Sequence, residues 1–164
     1  MDIAGKESKS IVVNLGEVAV AIDDSVVLTC LGLGSCVAIC VYDPISRVGG
    51  MAHVVLPNSN GSGNNSSKYA NVAVPTLLDK MYQKGALKNR INAKITGGAQ
   101  MVTKVAVGEN IGEKNAVAVK TLLSEYHIKL TGEEVGGNRG RSVWLHVNQG
   151  KVLVRQIGTD PHEL

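Results

Sequence analysis

A chain of 164 residues can bury one hydrophobic core, and 44% apolar with 19% charged content is that of a globular rather than a disordered chain. Aromatic residues make up 3%, the net charge is only +3, and the 17 basic residues are scattered rather than striped, which argues against nucleic-acid binding. The apolar runs are too short to span a bilayer and MDIAGKESKS lacks the apolar region of a signal peptide, so the expected location is the cytoplasm, without membrane insertion.

With no Phe, the core must come from Val, Leu, Ile and Ala, which favours sheet with small helices. Residues 1–9 are polar and expected to be disordered. Ile11–Ile22 reads as one or two short strands broken near Gly16, and Val26–Leu31 as a buried strand that stops at Gly32-Leu33-Gly34-Ser35. Cys36–Tyr42 predicts a second buried strand, Asp43-Pro44 a turn, and Gly50–Leu56 a third strand closed by Pro57. The polar stretch 58–68 is read as a flexible loop or as a lid beside the site; without a GK[ST] ending it is no phosphate loop.

Val74, Leu77, Leu78, Met81 and Tyr82 fall on one face of a helix that starts near 70–74, with Pro75 in its first turn and Gly85 as its stop. Ile91–Ile95 predicts a strand running into Thr96-Gly97-Gly98-Ala99. A second helix opens at Asn110 or Gly112 and buries Val119, Leu122, Leu123 and Tyr126. His127–Leu130 starts another strand, 136–141 (GGNRGR) is a polar turn, and Ser142–Val147 pairs with Lys151–Ile157 as a hairpin. Seven to nine strands without regular βα alternation predict a single α/β (α+β) domain over 1–164, with mixed sheets and two main helices on their outer faces.

Two residues carry chemistry. Cys36 follows a glycine-rich turn, where a thiol can project into a cleft and nearby N–H groups can hold an oxyanion. His53 lies in an apolar strand, and if 37–54 folds back as a hairpin the thiol and the imidazole lie side by side at its open end. Both also have plain readings, Cys36 as a small buried hydrophobe and His53 as a satisfied core residue. Cys30 and Cys40 read as packing residues, Lys94 as surface, and the three cysteines as reduced without the spacing of a zinc site, so no metal is expected. A Gly-x-Gly followed by a strand rather than a helix makes a poor phosphate site.

LGLGSCVAICVYDP, VGGMAHVVLP, KYANVAV, ITGGAQM, IGEKNAVAVKTLLSEYHIKLTGEEVGGNRGRSV and GKVLVRQI resemble the CheD family of chemoreceptor glutamine deamidases, from about residue 11 to 157. The resemblance implies a layered α/β fold shared with a glutamine-deamidating toxin domain. It also implies hydrolysis of chemotaxis-receptor glutamines to glutamate, and regulation by a CheC-type phosphatase. It makes Cys36 the nucleophile that forms a thioester, His53 the general acid and base, and Gly34 and Ser35 the turn whose N–H groups hold the oxyanion, with no metal or organic cofactor. One position departs from the family: its threonine is replaced here by Cys30. Cys30 then substitutes for it, a bulge brings Thr29 inward, or another residue orients His53. A non-catalytic chemotaxis regulator that binds CheC or receptors, and a thiol protease or esterase, are the alternatives in function.

Overall fold

The computed structural model describes residues 7–102 and 109–164. Ten strands and two helices are found among them: β1 (Lys9–Val12), β2 (Val18–Ala21), β3 (Val26–Leu33), β4 (Val37–Asp43), β5 (Val48–Val54), α1 (Ala70–Gln83), β6 (Asn92–Gly97), α2 (Ile111–Glu125), β7 (Lys129–Val135), β8 (Arg141–His146), β9 (Lys151–Gln156) and β10 (His162–Glu163). The disorder expected over 1–9 lies for residues 1–6 outside the described residues. At residue 9 the expectation is corrected, because Lys9 already pairs with Val26.

The strands form two five-stranded sheets, ordered β1-β3-β8-β9-β10 and β2-β5-β4-β6-β7. Each is mixed, with one parallel pair, β1 with β3 and β6 with β7. Strand alternation distributes the apolar residues between two cores. On β4, Val37, Ile39 and Val41 face the helices, whereas Ala38 and Cys40 face the other sheet and meet Leu28, Cys30, Val143 and Leu145. Burying each Leu- or Val-sized side chain contributes about 1.5–3 kcal/mol, and most residues of β4 and β5 are fully enclosed.

Both helices pack on the same sheet, α1 against β5 and β2, α2 against β7 and β4. The expectation of helices on the outer faces therefore narrows to one outer face. Val74, Leu77, Leu78 and Met81 of α1 are buried as their spacing demands, but Tyr82 and Tyr126 end the apolar stripes and are exposed. Pro75 lies beyond the first turn of α1, which begins at Ala70. Asn110 caps α2, its Oδ1 accepting from the Glu113 N–H at 3.1 Å. The segment 58–68 is turned by Asn side chains accepting from the backbone, and its end is held by the Val55 and Leu56 N–H groups donating to the Lys68 carbonyl. No helix among the described residues is long and apolar enough to cross a membrane.

Candidate active site

Asp43 closes the β4–β5 hairpin and Val37 opposite Val54 ends its ladder. His53 pairs with Ala38, so its ring lies on the face turned toward the first sheet. Cys36, one step before β4, packs against the same inter-sheet cluster. The thiol and the imidazole therefore share one face at the open end of the hairpin. Neighbouring strands put such diagonal side chains within reach of one another.

The turn carrying Cys36 is suspended by its carbonyls. Gly34 O accepts from the Ala99 N–H at 2.9 Å and Cys36 O from the Gly98 N–H at 2.8 Å. Ser35 O accepts from Asn115 Nδ2 at 2.9 Å. In a trans peptide the C=O and the following N–H point in opposite directions, and no described peptide is cis. Fixing the Gly34 and Ser35 carbonyls thus turns the N–H groups of Ser35 and Cys36 away from Ala99 and Asn115. Gly97 (φ +112°) makes the approach possible, since a Cβ there would collide with the Cys36 carbonyl. Gly98 and Gly112 likewise let the Gly98-Ala99 segment approach the start of α2, where a Cβ on either glycine would collide with the backbone of the other.

His53 is 6% exposed and its Nδ1 lies 3.0 Å from the Val13 carbonyl. A carbonyl only accepts, so Nδ1 carries the proton and Nε2 is the basic nitrogen. Nε2 is buried without a hydrogen-bond partner among the described residues, so the thiol is not bonded to it. Cys30, fully buried on β3, places Sγ 3.4 Å from the same Val13 carbonyl and 3.4 Å from Met51 Sδ. Thr29 faces the opposite side of the sheet, with Oγ1 3.3 Å from Ser10 Oγ. The only register shift of β3 against β8 falls between Cys30 and Leu33, after Thr29, so no bulge brings Thr29 inward.

Burial favours the neutral form of both reacting groups. It pushes the Cys36 thiol above its ordinary value. It also pulls His53 below its own, against the opposing pull of the Val13 carbonyl and the Glu17 carboxylate. Cys40, deeper still, is pushed up to about 12 by burial despite nearby Lys94. Lys94 is half-buried rather than a free surface residue: it pairs across the ladder with Cys40 and its Nζ donates to Leu164 O at 2.7 Å.

The 136–141 turn is not simply solvated. Gly136 and Gly137 line, with Gly98, Asn110 and α2, a cavity of about 450 Å³. Arg141 is 5% exposed, and its guanidinium donates to the carbonyls of Gly97 at 3.0 Å and Gly136 at 2.8 Å. A second cavity of about 260 Å³ begins at Ser35 and runs along Gln100 and Met101 to Ile111. Three participants had not been expected from the residues: the Val13 carbonyl, the Gly97-Gly98 turn as a hanger for Cys36, and Asn115. A signal for Asn115 existed, since it lies one helical turn before Val119 on the buried stripe of α2.

The chain matches the family described as CheD chemotactic sensory transduction over residues 55–156. It is 48% identical over 147 residues to the chemoreceptor glutamine deamidase CheD of Thermotoga maritima, covering 90% of this chain and 92% of that protein. It is 42% identical over 146 residues to the probable chemoreceptor glutamine deamidase CheD of Archaeoglobus fulgidus, covering 88% and 92%. Among solved structures, the hypothetical protein YfiH of Bacillus licheniformis overlays with a TM-score of 0.49 at 13% identity, over 78% of this chain and 60% of that one.

Proposed function

This chain belongs to the CheD family of chemotactic sensory transduction proteins, and from that premise we propose that it is a protein-glutamine glutaminase acting on chemoreceptors, with Cys36 as nucleophile and His53 as general acid and base. The observation that supports this assignment is the shared face of Cys36 and His53 at the open end of the β4–β5 hairpin, with Nδ1 of the ring committed to Val13.

The chemistry follows from that arrangement. As the Cys36 sulfur bonds to the carboxamide carbon of a receptor glutamine, His53 Nε2 takes the thiol proton. The negative charge gathers on the former carboxamide oxygen, where the N–H groups of Ser35 and Cys36 can stabilise it. Collapse of the intermediate breaks the C–N bond, the imidazolium returns its proton to the leaving nitrogen, and ammonia departs from a thioester. Nε2 then deprotonates a water that attacks the thioester, which yields glutamate and the free thiol. Every proton is carried by His53, so the scheme needs no metal or organic cofactor.

The family resemblance extends the reading to the cytoplasm as location and to a CheC-type phosphatase as regulator. A second reading, a non-catalytic regulator acting by binding CheC or receptors, is favoured by one observation: the thiol is not bonded to the imidazole. Mass spectrometry of receptor cytoplasmic fragments incubated with wild type and with Cys36→Ala decides between them. Deamidation by wild type alone is expected. No deamidation by wild type, with CheC binding intact, would sink the enzyme reading in favour of the binding one, and peptide cleavage would replace it with a thiol protease.

A further inference from the structure

Asn115 is completely buried on α2 and takes no part in the chemistry above. Resting on the assignment of Cys36 and His53, we propose that Asn115 is a positioning residue whose carboxamide sets the spacing between nucleophile and base, and with it the rate. Its Nδ2 donates one hydrogen to the Ser35 carbonyl and the other to the Val55 carbonyl, each at 2.9 Å. Ser35 immediately precedes Cys36, and Val55 continues the strand that carries His53. The β4–β5 ladder ends at Val37 opposite Val54, just short of both carbonyls. Where backbone pairing stops, a side chain from a helix continues it.

A planar carboxamide holds its two N–H groups at a fixed angle, so the two carbonyls are tied at a fixed separation. The tie acts on two functions at once. It fixes the backbone beside Cys36 relative to the backbone beside His53, and by holding the Ser35 carbonyl it aims the Cys36 N–H where an oxyanion forms. Misplacement of reacting groups by an ångström costs rate far more than it costs binding.

The test uses Asn115→Leu and Asn115→Asp, both of which keep the branched four-atom frame of the Asn side chain. Kinetics on receptor cytoplasmic fragments and the pH profile of Cys36 alkylation by iodoacetamide are measured beside thermal unfolding. Folded variants are expected to lose about 10²-fold in kcat with KM little changed, and to show a displaced alkylation profile. Once protonated, the carboxyl introduced by Asn115→Asp supplies one of the two lost donors, so the activity of that variant relative to wild type should recover as the pH falls. Folded variants with wild-type kcat and an unchanged alkylation profile would overturn the proposal, as would a loss confined to KM. If neither variant unfolds cooperatively, Asn115 is a stability element and the proposal fails. If wild type itself deamidates nothing, the functional assignment falls separately, and the alkylation profiles still decide whether Asn115 positions the thiol.

Discussion

Cys30 and His53 meet at one atom, the carbonyl oxygen of Val13, with the thiol at 3.4 Å and the imidazole Nδ1 at 3.0 Å. The group behind the histidine is therefore backbone, and Cys30 is its neighbour rather than its anchor. Cys30→Ala should destabilise the protein by about 1 kcal/mol, through a small cavity in the inter-sheet core, while leaving kcat close to wild type. Cys30→Thr should keep both stability and rate, because a hydroxyl can still reach Val13. Thermal unfolding and deamidation kinetics check this pair. A collapse of kcat in folded Cys30→Ala would show that the thiol itself orients the ring.

The three cysteines differ sharply in access. Cys30 and Cys40 are enclosed and burial raises both thiols, Cys40 to about 12, whereas Cys36 lies at the margin of the inter-sheet core. Under native conditions iodoacetamide should label Cys36 alone, and His53→Ala should slow that labelling. Peptide mapping after a short exposure gives the answer. Comparable labelling of all three would remove the case for Cys36.

The pH dependence of the reaction has a definite sign. The productive pair is neutral, a thiol and an unprotonated Nε2. Since burial lowers His53, this base stays unprotonated below the ordinary histidine value of 6.5, and the acid limb of kcat/KM should lie below that value. Since burial raises Cys36 above 9.0, no alkaline limb from the free thiol should appear before that value. A pre-formed thiolate–imidazolium pair would give a narrower bell. A pH profile of deamidation by mass spectrometry separates the two.

The hairpin that carries the site could be read from residues alone. Two apolar runs around Asp43-Pro44 fix the pairing, and once they pair, the side-chain period of two puts Cys36 and His53 on one face. The helix faces were legible for the same reason, through Leu77 and Met81 or Val119 and Leu123. What escaped was non-local. Nothing in Ile11–Ile22 says that its first half pairs parallel with β3 and its second half antiparallel with β5 in the other sheet. Nothing in Val13 says that its carbonyl will hold a histidine, because every residue has a carbonyl. Asn115 was readable as a polar residue on an apolar stripe, but its partners only exist once α2 packs over the end of the hairpin.

Gly97 tests how closely the fold must approach the nucleophile. Its φ of +112° suits glycine, and a Cβ would run into the Cys36 carbonyl. Gly97→Ala should destabilise by more than the roughly 1 kcal/mol of an unfavourable backbone conformation. It should also lower kcat more than Cys30→Ala does, because the displaced atom belongs to Cys36. Kinetics on the folded variant, compared with Gly85→Ala as a positive-φ control with open space for a Cβ, isolate the collision from the conformational cost.

At the closed end of the hairpin the constraint is electrostatic. Asp43 is fully buried, and burial alone would raise its carboxyl, but the N–H groups of Leu87, Ile45 and Ser46 and the Arg90 guanidinium lower it to about 2. Its bonds to Leu87 and Arg90 pin the β4–β5 turn to the segment between α1 and β6. A carboxyl lowered in the folded state stabilises above its unfolded value, 3.8, and loses that contribution as the pH falls through about 2. Asp43→Asn should therefore cost about 2 kcal/mol near neutral pH, with the gap to wild type closing toward pH 2. Denaturant unfolding across that range measures it, and a gap that is flat with pH would refute the electrostatic account. Because Asp43 lies at the far end of the hairpin from Cys36 and His53, kcat of the folded variant should be unchanged, in contrast to Asn115 at the open end, where the same hairpin is held by an amide.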